Sequence, residues 1–242
     1  MSTPHRQAKQ IMIIRTGEPV PRVLERRGHF HDMIEQAIGG LWSGGYAVVD
    51  AREDGPLPDP GSAAAFVITG SAANVPNREG WMLRTEAWLR AVFEAGTPTF
   101  GICFGHQILA QALGGEVQRN PRGREIGTVE IERTASDPIF HGLPDRFLAN
   151  VTHVDTVARL PPGAASLARS ALENHHAIRF GERCYGVQFH PEMDADVLTG
   201  YVETRREILA SERFDVDAML AQIQDAEMGR EALRNFVRRF LL

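Results

Sequence analysis

The stretch that decides the fold is Thr97-Pro-Thr-Phe-Gly-Ile-Cys-Phe-Gly-His-Gln-Ile-Leu-Ala-Gln-Ala-Leu-Gly-Gly115. Its first part predicts the end of a short buried strand, and the apolar residues of its second part recur at helical spacing until two glycines end the helix. Cys103 lies at the sharp turn between strand and helix, with Gly101 and Gly105 two residues away on either side. This is the pattern of a nucleophile elbow in which cysteine takes the place of serine.

Cys103 has two interpretations at this point. Free cysteine is among the most buried residue types, so a packing role at the end of a core strand is the simpler one. A helix that begins directly after the sulfur points its N–H groups and the positive end of its dipole at it, which favours the nucleophilic thiolate. If the elbow is catalytic, the rest of the chain must supply a base, an orienting acid and an oxyanion hole.

The composition is that of an ordinary globular chain. Its 242 residues suffice for one large domain, with 43% hydrophobic and 24% charged residues. The net charge of −5 disfavours a general nucleic-acid binder. Two cysteines, Cys103 and Cys184, do not form a disulfide framework and are typical of a reducing compartment. With a polar N-terminus and no apolar run long enough to span a membrane, we expect a cytoplasmic protein that binds neither membrane nor nucleic acid.

Strands alternate with helices in the first half of the chain. The pattern predicts strands at 11–14, 46–50 and 64–69 and helices at 30–38 and 81–95, which implies a parallel sheet with right-handed crossovers. After residue 115, short strands separated by turns predict an antiparallel region, and from residue 194 onward the pattern is helical. We therefore predict a three-layer α/β fold with a mostly parallel central sheet flanked by helices, an additional antiparallel strand region and a helical C-terminal tail. It forms one domain over 1–242, with a core at about 11–192 and an extension at 193–242.

His190 and Glu192 are the candidate base and orienting acid. They follow an apolar strand and lie two residues apart, and residues two apart in an extended strand point to the same side. Glu192 would then hold one ring nitrogen of His190 while the other nitrogen faces Cys103, giving a Cys–His–Glu relay. The chain has nine histidines, most of which we expect to be surface or hydrogen-bonded core residues. The rigid proline and the carboxylate that follow His190 single it out.

The turn at Gly70 and Ser71 follows a predicted strand at its carboxyl end, where parallel α/β sheets place their sites. The backbone N–H groups of this turn, together with that of Phe104, are a candidate oxyanion hole. The alternative is an ordinary turn glycine. Residues 150–155 are a further candidate wall of the site, with a polar surface loop as the alternative.

Together these motifs resemble the class I (triad) glutamine amidotransferases, whose fold is flavodoxin-like. Gly101-Ile-Cys-Phe-Gly-His-Gln107 and Gln188-Phe-His-Pro-Glu192 carry the resemblance, and it runs in order from Ile11 to Glu192. Val67-Ile-Thr-Gly-Ser71 and Val151-Thr-His-Val-Asp-Thr-Val157 are similar to motifs of the GMP-synthase-like members, including free-standing ones. The resemblance implies a site without metal or cofactor.

The resemblance also implies a mechanism. The Cys103 thiolate would attack the side-chain amide carbon of L-glutamine, and His190, oriented by Glu192, would protonate the leaving ammonia and then activate water. The oxyanion would be held by N–H groups of Gly70 or Ser71 and of Phe104. The glutamine would be contacted by Gln107 and by the backbone near Thr152 and His153.

The chain ends about fifty residues beyond Glu192, which is short for a nucleotide-activating domain, and it lacks a Gly-rich phosphate loop. We therefore expect a glutaminase that passes ammonia to a separate synthetase. A γ-glutamyl peptidase or hydrolase acting on γ-glutamyl amides or peptides is one alternative, and a non-catalytic binding or regulatory protein of the same fold is another. An apolar stripe in the tail, formed by Leu233, Phe236, Val237 and Phe240, either packs on the sheet or contacts a second subunit, such as a homodimer partner or a synthetase. Packing is the favoured option.

Overall fold

The computed structural model describes residues 10–242, so the polar segment 1–9, which bears on the signal-peptide prediction, lies outside the described residues. The strands are β1 Ile11–Arg15, β2 Tyr46–Asp50, β3 Ala65–Ile68, β4 Thr99–Ile102, β5 Glu116–Arg119, β6 Glu125–Arg133, β7 Arg146–His153, β8 Asp155–Arg159, β9 Ala165–Arg169, β10 Ala177–Gly181 and β11 Cys184–Val187. The helices are α1 Pro21–Arg27, α2 Phe30–Ile38, α3 Gly80–Glu94, α4 Phe104–Ala112, α5 Ala195–Thr204, α6 Arg206–Ser211, α7 Val216–Gln222 and α8 Glu227–Leu241.

Nine strands form one sheet in the order β2-β1-β3-β4-β11-β10-β9-β6-β7. The pairings from β2 to β11 are parallel, and those from β11 to β7 are antiparallel. β5 and β8 form a separate antiparallel pair. The predicted α/β fold with a parallel sheet and an antiparallel region is confirmed, and the antiparallel strands continue the parallel sheet.

Helices cover both faces of the sheet. Successive strand residues point to opposite faces, so Val67 and Phe100 join one buried cluster and Phe66 and Ile68 join another. Apolar residues of α2 and α8 pack in the first cluster, and those of α3 and α4 pack in the second. The result is the predicted three-layer arrangement, and the carboxyl ends of β3, β4 and β11 meet at one edge of the sheet.

The C-terminal helix α8 completes the core. Leu233, Phe236 and Val237 are fully buried, and Phe240 packs partly buried against the same cluster. The apolar stripe is therefore a core surface, which is the favoured of its two predicted roles. Within residues 10–242, no helix combines the length and the apolar composition that a membrane crossing requires.

Two elements were not predicted, the helix α1 and the strand β8. The amphipathic signal in α1 is weak because Val23 is its one fully buried residue. The helix is fixed from outside instead, since Arg27 forms ion pairs with Asp194 and Asp196 beside α5. Such tertiary contacts override weak local propensity.

Candidate active site

The elbow is built at the junction of β4 and α4. Cys103 has φ 50° and ψ −100°, a conformation that non-glycine residues rarely adopt. The turn is held by the Cys103 N–H, which donates to the Val187 carbonyl at 2.8 Å, and by the Gln107 N–H, which donates to the Cys103 carbonyl at 3.0 Å. The sulfur thus sits at the N-terminal end of α4.

Both elbow glycines are needed by close backbone packing. A Cβ on Gly101 would lie 2.5 Å from the carbonyl carbon of Gly105, and a Cβ on Gly105 would lie 2.4 Å from the carbonyl oxygen of Ile68. Either side chain would force helix α4 away from the strands. The glycines therefore let the helix begin close enough to point its first N–H groups at the sulfur.

His190 and Glu192 are in contact, because Nδ1 of His190 lies 2.7 Å from Oε1 of Glu192. Both side chains are buried. The predicted reason for this contact is wrong, since β11 ends at Val187 and both residues lie in the turn that follows. The turn is fixed by the His190 N–H, which donates to the Asn150 carbonyl at 2.9 Å, and by the Asn150 side chain, which donates to the Met193 carbonyl.

The second ring nitrogen of His190, Nε2, is buried and has no hydrogen-bond partner among the described residues. His190 and Cys103 line the same cavity and act on each other electrostatically. Burial lowers the pKa of His190, but Glu192 and Cys103 outweigh it and leave the pKa raised. Burial raises the pKa of Cys103, but the charges of His190 and His153 outweigh it and leave the pKa lowered. These opposite shifts favour a thiolate–imidazolium pair.

The predicted oxyanion residues lie around the sulfur. A Cβ on Gly70 would lie 3.1 Å from Cε1 of His190, so this glycine packs against the histidine ring. Ser71 lines both cavities that reach Cys103. Phe104 is the first residue of α4, where a backbone N–H has no partner within the helix. The three residues are thus near the reacting atoms, and their role as an oxyanion hole stays a prediction.

Two cavities meet at Cys103 and share Ser71, Ala72, Thr152 and Arg205 in their walls. The larger, of about 340 Å³, is lined by the three residues predicted to contact glutamine, Gln107, Thr152 and His153. The smaller, of about 220 Å³, is lined by His190, Phe30 and Tyr201. The site therefore has a space on each side of the sulfur.

Gln107 is engaged within the protein. Its side-chain nitrogen donates to the Asp155 carbonyl at 3.0 Å and to Oε1 of Gln188 at 2.9 Å. The Gln188 amide in turn donates to the sulfur of Cys103 at 3.4 Å. Gln107 therefore orients a donor to the sulfur as well as lining the cavity. Sequence reasoning missed this role of Gln188, although the residue lies inside the motif that ends in Glu192.

Arg205 was also missed. It lies at the junction of α5 and α6, donates to Oγ1 of Thr152 at 2.5 Å, and holds its guanidinium 5.0 Å from the centre of the Tyr201 ring. Burial lowers its pKa. No sequence signal pointed to it, because Arg205 lies in the tail beyond the recognised motifs. The tail thus contributes a cation to both cavities.

Among residues 10–242, one group could donate three ligands to a metal ion. Glu125, His153 and His176 are all buried, and their ligand atoms lie within 4.8 Å of one another. Oε2 of Glu125 lies 3.0 Å from Nε2 of His153 and 2.8 Å from Nε2 of His176. These are hydrogen-bond distances, so the carboxylate and the two rings already satisfy one another. The sequence gave no reason to group these three residues.

Comparisons with known proteins identify the family. Residues 67–201 match the model of the family described as glutamine amidotransferase class-I. A GMP synthase [glutamine-hydrolyzing] of Thermomicrobium roseum is 41% identical over 132 residues, 54% of this chain and 24% of that protein. The chain therefore belongs to the class I glutamine amidotransferase family, and it spans about a quarter of the length of that GMP synthase.

Two further similarities cover more of the chain. Gamma-glutamyl peptidase 5 of Arabidopsis thaliana is 28% identical over 197 residues, which are 78% of each chain. The crystal structure of a glutamine amidotransferase from Thermotoga maritima superposes with a TM-score of 0.74 at 22% identity, covering 96% of this chain and 98% of that one. The structural likeness supports the fold over the whole described chain, including the C-terminal helices.

Proposed function

We propose that this protein hydrolyses the side-chain amide of L-glutamine through a Cys103–His190–Glu192 triad. The observation that carries the proposal is the placement of a buried His190–Glu192 pair beside a strained cysteine at a helix N-terminus. An amide is a poor electrophile, and a sulfur nucleophile divides its hydrolysis into two easier steps.

The first step forms a thioester. The Cys103 thiolate adds to the amide carbon, and the oxyanion that forms accepts hydrogen bonds from the N–H groups of Phe104 and of Gly70 or Ser71. The C–N bond then breaks as the His190 imidazolium gives a proton to the nitrogen, which leaves as ammonia. A γ-glutamyl group remains attached to the sulfur.

The second step returns the enzyme to its starting state. Neutral His190 takes a proton from water, and the hydroxide adds to the thioester carbonyl. The C–S bond breaks, so that glutamate leaves and the thiolate forms again beside a protonated His190. Glu192 keeps the imidazole oriented and favours its charged form in both steps.

The ammonia is proposed to pass to a partner synthetase. This part rests on the similarity to GMP synthases, in which the matched stretch is only 24% of one such protein. An amidotransferase domain of this kind needs an acceptor site for the nitrogen, and we place that site on a separate subunit.

A second candidate function is hydrolysis of γ-glutamyl amides or peptides by the same triad. The cavity lined by His190 has a volume of about 220 Å³, which is several times the space of about 30 Å³ that a water-sized molecule takes. His190 must protonate the leaving group, so this cavity is the leaving-group side and has room for more than ammonia. The full-length similarity to a gamma-glutamyl peptidase agrees with this.

One experiment separates the two candidates. The purified protein is incubated with glutamine and, separately, with γ-glutamyl dipeptides, and ammonia, glutamate and the released amino acid are each measured. Equal release of ammonia and glutamate from glutamine supports the glutaminase. A kcat/KM at least tenfold higher for the dipeptides supports the peptidase. Cys103→Ala serves as the control, and activity that survives in this variant would sink both candidates.

A further inference from the structure

A buried network of three ionisable groups lies behind the substrate cavity. It consists of Glu125 at the start of β6, His153 at the end of β7 and His176 just before β10. The side chains of all three are at most 5% exposed. His153 also lines the cavity that Cys103 lines, so the network connects the interior to the site of reaction.

Both ring nitrogens of His153 face atoms that accept hydrogen bonds. Nδ1 lies 3.0 Å from the carbonyl oxygen of Asp155, which can only accept. Nε2 lies 3.0 Å from Oε2 of Glu125. If Glu125 is ionised, both nitrogens of His153 must carry a proton, and the ring is an imidazolium.

Three groups donate to the Glu125 carboxyl. The Ser170 hydroxyl lies 2.6 Å from Oε1, and it has its proton free because its oxygen already accepts from the N–H groups of Leu172 and Glu173. The two histidine rings share Oε2. A carboxylate with three donors is strongly favoured over the acid, and imidazole is the more basic partner. The shared proton therefore resides on the ring.

The positive charge of the network belongs to His153 and not to His176. Nε2 of His176 donates to Glu125, but its Nδ1 is buried without a hydrogen-bond partner among the described residues. A proton on that nitrogen would be a buried donor with no acceptor, which is costly, so His176 is neutral. The network thus holds one negative carboxylate and one positive ring.

We propose that His153 is a permanent imidazolium, fixed by Glu125 and the Asp155 carbonyl, whose charge stabilises the thiolate of Cys103. This inference assigns a positioning role to Glu125 and rests on the proposed function. His153 differs from His190 because neither of its ring nitrogens is free to take a proton. It acts as a fixed charge, while His190 exchanges the proton.

The charged and titratable groups around His153 are consistent with this assignment. Burial lowers the pKa of His153, but the hydrogen bond to Glu125 and the charges of Cys103, Glu125 and Glu173 leave it raised. Burial raises the pKa of Glu125, but the two histidines leave it well below its usual range. The other ionisable groups near the network or in the cavity walls are His106, Arg119, Arg124, Asp155, His175, His190, Glu192, Arg205 and Glu212.

The first test measures the charge of the ring directly. Protein labelled with ¹⁵N-histidine is titrated from pH 5 to pH 9, and the His153 resonances are assigned by their loss in His153→Gln. We expect both ring nitrogens of His153 to be protonated at pH 8 in the unmodified protein. A neutral His153 at pH 8, or a ring bound to a divalent cation through Nε2, overturns the proposal. This measurement needs no variant other than the one used for assignment.

The second test measures the consequence at the sulfur. In a Cys184→Ala background, the rate of alkylation by iodoacetamide is followed against pH to give the apparent pKa of Cys103. Glu125→Gln removes the carboxylate that holds the proton, so we expect the apparent pKa to rise by about one unit and His153 to become neutral. Glu130→Gln, an exposed change on the same strand, is the matched control and should leave both unchanged.

The outcomes separate this inference from the proposed function. If the protein hydrolyses glutamine but Glu125→Gln leaves the apparent pKa of Cys103 unchanged, the inference fails and the function stands. If neither glutamine nor γ-glutamyl compounds are hydrolysed but the imidazolium and the pKa shift are found, the function fails and the inference stands. Should Glu125→Gln not fold, the charge of His153 in the unmodified protein still decides the proposal.

Discussion

The two cysteines lie on neighbouring strands of one sheet and have opposite properties. Cys103 follows β4 and is 5% exposed, and Cys184 begins β11 and is 4% exposed. Burial raises the pKa of the Cys184 thiol, and burial is its only cause. The pKa of Cys103 is lowered although burial acts on it in the same direction.

The difference arises from position in the fold. Cys184 lies at the amino end of its strand, where it packs in an apolar cluster with Ile178 and Phe180. Cys103 lies at the carboxyl end of a parallel strand, where a helix begins and where His190 and Gln188 approach. Reactivity therefore comes from the partners that the topology brings to the sulfur, and neither burial nor residue type distinguishes the two.

The largest effect that separates the cysteines is loss of the nucleophile. Cys103→Ala should lower the rate of glutamine hydrolysis by about 10⁴-fold or more, because no other group can form the thioester. The fold should persist, since circular dichroism and the melting temperature report on a core that the change barely alters. A folded Cys103→Ala protein with unchanged activity would contradict the assignment of the nucleophile.

The next effect concerns the acid–base pair that only Cys103 possesses. His190→Ala should lower the rate by roughly 10³-fold or more, and Glu192→Gln by a smaller factor of about 10², because the orienting acid is partly dispensable. Steady-state kinetics with glutamine measure both. If Glu192→Gln were silent and Glu173→Gln inactivated the enzyme, a different carboxylate would be the orienter.

The donor from Gln188 allows a milder change at the sulfur. Gln188→Glu keeps the shape of the side chain but replaces an N–H donor by a like charge, so the thiolate should be disfavoured and the apparent pKa of Cys103 should rise by about one to two units. The pH dependence of iodoacetamide alkylation measures this. Gln111→Glu on the same helix as Gln107 is the control, and equal shifts in both variants would mean that the effect is not local.

The pH profile gives a further contrast. Because the pKa of Cys103 is lowered from 9.0, its thiolate persists below pH 9, and because the pKa of His190 is raised from 6.5, its imidazolium persists above pH 6.5. The plot of kcat/KM against pH should therefore be bell-shaped, with its plateau spanning neutral pH. A profile that only rises towards pH 9, as for an ordinary thiol, would show that Cys103 is not activated.

Sequence reasoning reached the parts of the site that local pattern encodes. The elbow follows from two glycines and helical spacing around Cys103, and the α/β fold follows from the alternation of strands and helices. The pairing of His190 with Glu192 was predicted for the wrong reason, since a turn and not a strand brings them together. Local motifs therefore identify residues better than they identify geometry.

The remaining parts depend on long-range contacts that no local pattern encodes. Glu125, His153 and His176 come from three separate segments of the antiparallel half of the sheet, and only the register of β6 with β7, which pairs Glu125 with His153, brings two of them together. Arg205 reaches the cavity from the helical tail. Such residues become visible only after the chain is folded.

The smallest effect is expected at Cys184. Its side chain fills space in an apolar cluster and has no charged partner, so Cys184→Ala should lower the free energy of unfolding by about 1–2 kcal/mol through lost contacts and a small cavity. Glutamine hydrolysis should stay within about a factor of two of the unmodified protein, since Cys184 lies at the opposite end of the paired strands from Cys103, next to Thr99 in register. Chemical denaturation and steady-state kinetics check the two halves of this prediction. A large loss of activity with unchanged stability would mean that Cys184 takes part in the chemistry, and the contrast between the two cysteines would then have to be abandoned.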